Sequence, residues 1–144
     1  VHLGRGWGDG DVVRLNRRLL APVAEAFQPE LILVAAGFDL HRKDPLGRMK
    51  VTEAGFAALT RLVMQVAARC CRDRLVLVLE GGYHYKAQAA SVHAVLAELS
   101  DLTHTDVDLW CERGKARRVE PVVKKCTRVF SRFWPCLLDP PDAA

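Results

Sequence analysis

The chain has 144 residues, 50% of them hydrophobic and 26% charged, the size and balance of one globular domain, which excludes disorder over most of its length. Residues 1 to 111 carry 13 Lys and Arg against 13 Asp and Glu, so the whole net charge of +4 lies in residues 112 to 144. The body is neutral and offers no electrostatic footprint for nucleic acid, and no apolar run approaches the length of a membrane span.

Val1 to Asp11 is rich in glycine and reads as a strand end or loop feeding a helix, with Asp9 or Asp11 placed to accept from its first free N–H groups. From Val12 to Phe27, Val12, Leu15, Leu19, Leu20, Val23 and Phe27 recur at helical spacing, with Pro22 as a point of kinking and Pro29 as the stop. Leu31 to Ala36 is an unbroken apolar run, the pattern of a strand buried on both faces in a parallel sheet. Gly37, Phe38, Asp39 and a polar turn closed by Asp44-Pro45 follow. Thr52 is placed to cap a long amphipathic helix to about Cys71, with Phe56, Leu59, Leu62, Val63, Val66, Ala67 and Cys70 inward.

Leu75 to Leu79 forms a second strand, and a strand, long helix, strand order predicts parallel pairing through a right-handed crossover. Glu80-Gly81-Gly82-Tyr83 then falls at the same sheet edge as Asp39. A helix from about Lys86 to Leu99 is predicted to turn Ala89, Val92, Val95, Leu96 and Leu99 inward. Residues 100 to 114 read as polar turns. Pro121 is predicted to open a last helix, with Val122, Val123, Cys126, Val129, Phe130 and Phe133 on one side and Lys124, Arg128 and Arg132 on a solvated face above the sheet. Two strands alone leave sheet edges and apolar faces uncovered. With Val1 as first residue and no basic leader before an apolar core, the sequence reads as a piece of a longer protein. Five cysteines without CxxC spacing read as reduced thiols of a cytoplasmic protein, or a nuclear one in a eukaryote.

Two loops at one strand edge therefore present a carboxylate, Asp39, and a phenol on a Gly-Gly hinge, Tyr83. Ligands of open α/β sheets bind at that edge. A carboxylate binds a divalent metal or accepts a proton, and a phenol donates a hydrogen bond to a developing oxyanion. Together they suggest metal-assisted attack of water on a carbonyl.

The stretches PELILVAAGFDLHRKDPLGRMKVTEAGF (Pro29 to Phe56) and LVLVLEGGYHYKAQAASV (Leu75 to Val92) resemble the zinc-dependent deacetylase superfamily. That superfamily includes class II histone deacetylases, histone-deacetylase-like amidohydrolases and acetylpolyamine amidohydrolases, and GWGDGDVVRLNRRLLAPVAEAF (Gly6 to Phe27) fits the helix preceding them. The resemblance covers residues 1 to about 100. It implies the C-terminal part of a three-layer α/β/α fold with a mainly parallel sheet, the arginase/deacetylase architecture. It implies a division into residues 1–100, deacetylase domain; 101–118, linker or surface loop; 119–137, amphipathic basic helix; and 138–144, frayed tail.

By position in the motif, Asp39 is implied to be a ligand of a catalytic Zn2+ and Tyr83 the phenol that polarises the scissile carbonyl. Leu46 is implied to line the substrate channel, flanked by Gly81 and Gly82. The implied substrates are acetyl-lysine peptides or acetylated polyamines and other small amines, and Leu46 fits a lysine deacetylase better than an acid would. The family's His-His pair and Asp-x-His zinc motif do not occur in this sequence, and Asp39-Leu40-His41 copies the latter only superficially. The implied partner is thus a missing N-terminal half of the domain, without which the chain is expected to be inactive. An arginase-type two-metal site would need more carboxylates and histidines around Asp39. A non-catalytic module binding through its basic tail is the other alternative. Asp44 reads as structural, bonding N–H groups of its own loop. Glu80 reads as structural or supporting, His41 as a surface or supporting residue, and His84 as an exposed loop residue.

Overall fold

A computed structural model describes residues 3–138; His2 and, of the tail 138–144 expected to be frayed, residues 139–144 lie outside the described residues. Helix α1 (Asp9–Phe27), strand β1 (Ile32–Ala36), helix α2 (Glu53–Cys71), strand β2 (Leu75–Leu79) and helix α3 (Tyr85–Leu99) are followed by α4 (Val107–Arg113), α5 (Ala116–Phe130) and a 3-10 turn, Pro135–Leu137. The strands pair in parallel, Ile32 opposite Leu75 through Ala36 opposite Leu79. The chain is α/β as the aliphatic runs predict.

The first turn of α1 organises the starts of α2 and α5. Asp11 accepts from the N–H of Gly8, the residue that caps α1 (3.2 Å), and from the N–H of Lys115, which precedes α5 (2.8 Å). Asp9 accepts from the N–H (2.6 Å) and hydroxyl (2.9 Å) of Thr52. Thr52 does precede α2, but its hydroxyl is spent on Asp9 and makes no cap bond to its own helix. Pro22 is buried inside a continuous α1.

A cluster of Trp7, Val12, Leu15, Phe38, Phe56 and Val95 forms the main core, and α4 closes a second around Val13, Ala58, Leu62 and Val107. An apolar cavity of about 190 Å³ remains between the sheet and the helices, lined by Val34, Ala36, Phe38, Phe56 and Val95. The opposite sheet face is open: Leu33 is 65% exposed, Val76 45% and Val78 47%.

Four expectations are corrected. Residues 107–113, expected among polar turns, form α4, because Val107 is buried and Trp110 packs on the second cluster. Helix α5 begins five residues before Pro121, anchored by Lys115 and Arg118 on Asp11. It lies on α1 rather than over the sheet, and buries Val119, Val123 and Cys126 while Phe130 and Phe133 stay exposed. The buried line of α3 is Ala87, Ser91, Val95 and Glu98, not Ala89 and Leu96, which are exposed. Glu98 turns inward because it is fully hydrogen-bonded there. Its carboxylate takes the Arg61 guanidinium (2.7 Å), the Thr103 hydroxyl (2.8 Å) and the N–H of Thr105 (3.1 Å), and the Thr105 hydroxyl as well.

Candidate active site

Parallel pairing runs past the strand ends into both loops. Glu80 N–H donates to the Ala36 carbonyl (3.1 Å) and Phe38 N–H to the Gly81 carbonyl (2.9 Å). This brings the two motifs side by side: a Cβ placed on Gly81 would lie 3.7 Å from Asp39 Oδ1. Asp39 is half-buried.

The loop from Asp39 to Val51 is tied at both ends. His41 N–H donates to Phe38 O (3.1 Å) and Asp44 N–H to His41 O (2.8 Å), while Arg42 and Val51 pair with Val51 O (2.8 Å) and Leu40 O (3.2 Å). Lys50 N–H reaches the Trp7 carbonyl (2.7 Å), joining the loop to the start of α1. Gly47 is pressed onto the loop's own beginning. A Cβ there would stand 1.6 Å from the Asp39 carbonyl oxygen, so no side chain fits without moving Asp39.

Asp44 is 7% exposed. Its Oδ1 accepts from the N–H groups of Leu46 (2.8 Å) and Gly47 (3.0 Å), as its place in the turn suggested. Its Oδ2 accepts from the N–H of Tyr83 (2.7 Å), a contact across 39 residues that the sequence does not disclose. Burial pushes the carboxyl pKa up, but the three N–H groups, helped by nearby His41, outweigh it and hold the group below its usual value.

For His41 the surface alternative is corrected: the residue is 1% exposed. Its Nδ1 accepts from Lys43 N–H (3.1 Å), and its Nε2 faces Glu53 Oε1 at 3.2 Å. The ring stacks on Phe56, with centroids 6.5 Å apart. Nδ1 is thus hydrogen-bonded within the fold, while Nε2 lies against Glu53 without hydrogen-bond geometry. Glu53 is held below its usual carboxylate pKa, by its own backbone N–H at the start of α2 and by His41, against the opposing effect of burial.

Gly82 has φ +131°, and a Cβ on it would meet Phe38 Cβ at 3.0 Å; conformation and close approach both require glycine. Tyr83, next along, is 57% exposed, and Leu46 on the facing loop is 65% exposed. Two of the implied groups, Asp39 and the Gly81-Gly82-Tyr83 hinge, are therefore on adjoining backbones, while Leu46 shares a turn with Asp44. Glu80 is exposed. His84 is half-buried rather than a free loop residue: its Nδ1 accepts from Ala87 N–H (3.2 Å) and caps α3. The apolar cavity under the sheet contains neither Asp39 nor Tyr83.

A catalytic zinc is held by about three protein side chains. Among the described residues no group of three His, Cys, Asp or Glu is placed to hold a metal ion. Zinc therefore does not fit this segment by itself: among the described residues Asp39 belongs to no such group of three. What the segment does supply is a fixed edge from which a carboxylate and a phenol project.

A family model for the histone deacetylase domain matches residues 1–99. The chain is 46% identical over 87 residues to a polyamine deacetylase of Homo sapiens, HDAC10, covering 60% of this chain and 12% of that protein. It is 40% identical over 100 residues to a histone deacetylase-like amidohydrolase of Pseudomonas aeruginosa, covering 69% of this chain and 26% of that one. Among solved structures, the HDA15 HD domain superposes with TM-score 0.73 at 31% identity, over 94% of this chain and 34% of that one. The histone deacetylase Clr3 superposes with TM-score 0.81 at 27% identity, over 97% and 23%. The chain thus spans about a third or less of the length of these proteins. It belongs to the histone deacetylase family.

Proposed function

We propose that the chain supplies one side of the active site of a zinc-dependent deacetylase, an amidohydrolase that removes acyl groups from acyl-lysine or acylated amines. The observation that carries this reading is the pairing of the two loops, Phe38 N–H on Gly81 O and Tyr83 N–H on Asp44, within a histone deacetylase domain match. In this reading Asp39 is one of the zinc ligands, and the others come from residues outside this segment. Tyr83 donates its phenolic hydrogen to the carbonyl oxygen of the scissile amide as that oxygen gains negative charge. An exposed phenol at the loop tip suits a substrate arriving from solvent, and Leu46 on the facing loop supplies an apolar wall for an alkyl side chain. The 144-residue chain alone is inactive in this reading.

Two measurements test it. In an active deacetylase domain carrying this chain, Tyr83→Phe should lower kcat about 10²- to 10³-fold, the usual cost of one oxyanion donor, with zinc content unchanged. Asp39→Asn should remove the zinc, which elemental analysis reads directly. Full turnover in the Tyr83→Phe protein would sink the assignment.

A further inference from the structure

We infer that Asp44 is the positioning residue that sets Tyr83 against Asp39, and that its buried carboxylate belongs to the working parts of the site. The inference rests on the deacetylase reading above and adds a residue to it.

The division of labour between the two carboxylate oxygens is the argument. Oδ1 closes the turn that contains Leu46 and Gly47 (2.8 and 3.0 Å), and Gly47 abuts the Asp39 carbonyl. Oδ2 reaches the other loop and holds the N–H of Tyr83 itself at 2.7 Å. One side chain therefore touches the backbone of the wall residue, the phenol-bearing residue and the turn packed on the carboxylate residue. A neutral acceptor cannot replace it fully. An asparagine has one oxygen, and its amide nitrogen would face an N–H donor at the other position.

Tyr83 depends on such a hold more than a packed residue would. The residue is 57% exposed, so packing gives it little orientation. The residue before it, Gly82, has a backbone conformation open to glycine and few others. The residue after it, His84, is engaged in capping α3. Between a permissive glycine and a helix start, the Tyr83 N–H bond to Asp44 is the contact that fixes where the phenol begins. Removal of Asp44 should let that loop drift while the parallel pairing of Phe38 with Gly81 persists.

The test uses Asp44→Asn and Asp44→Ala, read in two ways. In the 144-residue chain, amide hydrogen exchange at Tyr83 should speed up about 10- to 100-fold in Asp44→Asn, as expected for loss of a charge-assisted bond. Exchange within α2 should stay unchanged, which shows that the variant is folded; if Asp44→Ala does not fold, Asp44→Asn carries the test. In an active deacetylase domain carrying the chain, Asp44→Asn should lower kcat about 10- to 100-fold with KM within about threefold, because a displaced donor is felt mainly in the transition state. Zinc content should be unchanged, and Asp44→Glu should restore part of the rate. Unaltered Tyr83 exchange in Asp44→Asn, with Tyr83→Phe still crippled, overturns the positioning role and leaves the deacetylase reading standing. Faster exchange with Tyr83→Phe fully active overturns the deacetylase reading and this role with it.

Discussion

Two glutamates, on different helices, are each gripped by arginine, and the two seams they hold behave as opposites. Glu98 on α3 is wholly buried against Arg61 of α2, with Thr103 and Thr105 completing its shell. Glu120 on α5, whose side chain is 31% exposed, takes Arg14 (3.3 Å) and Arg18 (3.1 Å) of α1. The first pair fastens the helices that pack under the sheet and pins the loop from Asp101 to Thr105. The second joins α5 to α1 beside Val119 and Val123, which belong to the main core. The carboxylate is fully enclosed at the first seam and partly open to water at the second, so the same charge chemistry contributes unequally at the two.

Breaking the first seam should be the larger effect. Arg61→Ala leaves the Glu98 carboxylate buried without its cation and should cost about 3 kcal/mol, read as a shift of the denaturation midpoint at constant m-value. Acid tests the same pair. Burial raises the Glu98 pKa, but the bonds from Thr105, Thr103 and Arg61 outweigh it and place it below its ordinary value. A carboxylate so depressed contributes stability that is complete above the unfolded value, about 4.3, and is lost as pH falls through the folded value. Thermal midpoints should therefore drop steeply below about pH 4.3 and more shallowly in Arg61→Ala. Glu120→Ala should cost only about 0.2 to 1 kcal/mol, and the loss should shrink further in 0.5 M salt. A Glu120 effect as large as that of Arg61 would erase the contrast between the seams.

The elements that the sequence discloses are those whose signal is local. Both strands lie where aliphatic runs stand between turn residues, and α2 starts and stops where Thr52 and Cys71 suggest. The inward line of α3 is misread because a buried Glu98 is invisible to hydrophobic periodicity; its partners Arg61, Thr103 and Thr105 are supplied by folding. Helix α4 escapes because its apolar packing rests on Val107, Trp110 and Cys111 within seven residues, too short a stretch to show a helical period. At the site, Asp39, Gly81, Gly82 and Tyr83 are legible as motif text, and the turn role of Asp44 is legible from its spacing. The bond from Asp44 to Tyr83 is not, because nothing in two segments 39 residues apart specifies it before the strands pair. His41 looks exposed among polar neighbours, yet the turn folds it inward onto Phe56 and Glu53.

The uncovered side of the sheet has a thermodynamic consequence. Leu33, Val76 and Val78 present a flat aliphatic strip beside backbone groups on both strand margins that have no ladder partner among the described residues. Such a strip is a template for strand addition. For this polypeptide in isolation, folding and self-association draw on the same surface. Its melting temperature should then depend on protein concentration, so that monomer stability has to be read by extrapolation to infinite dilution.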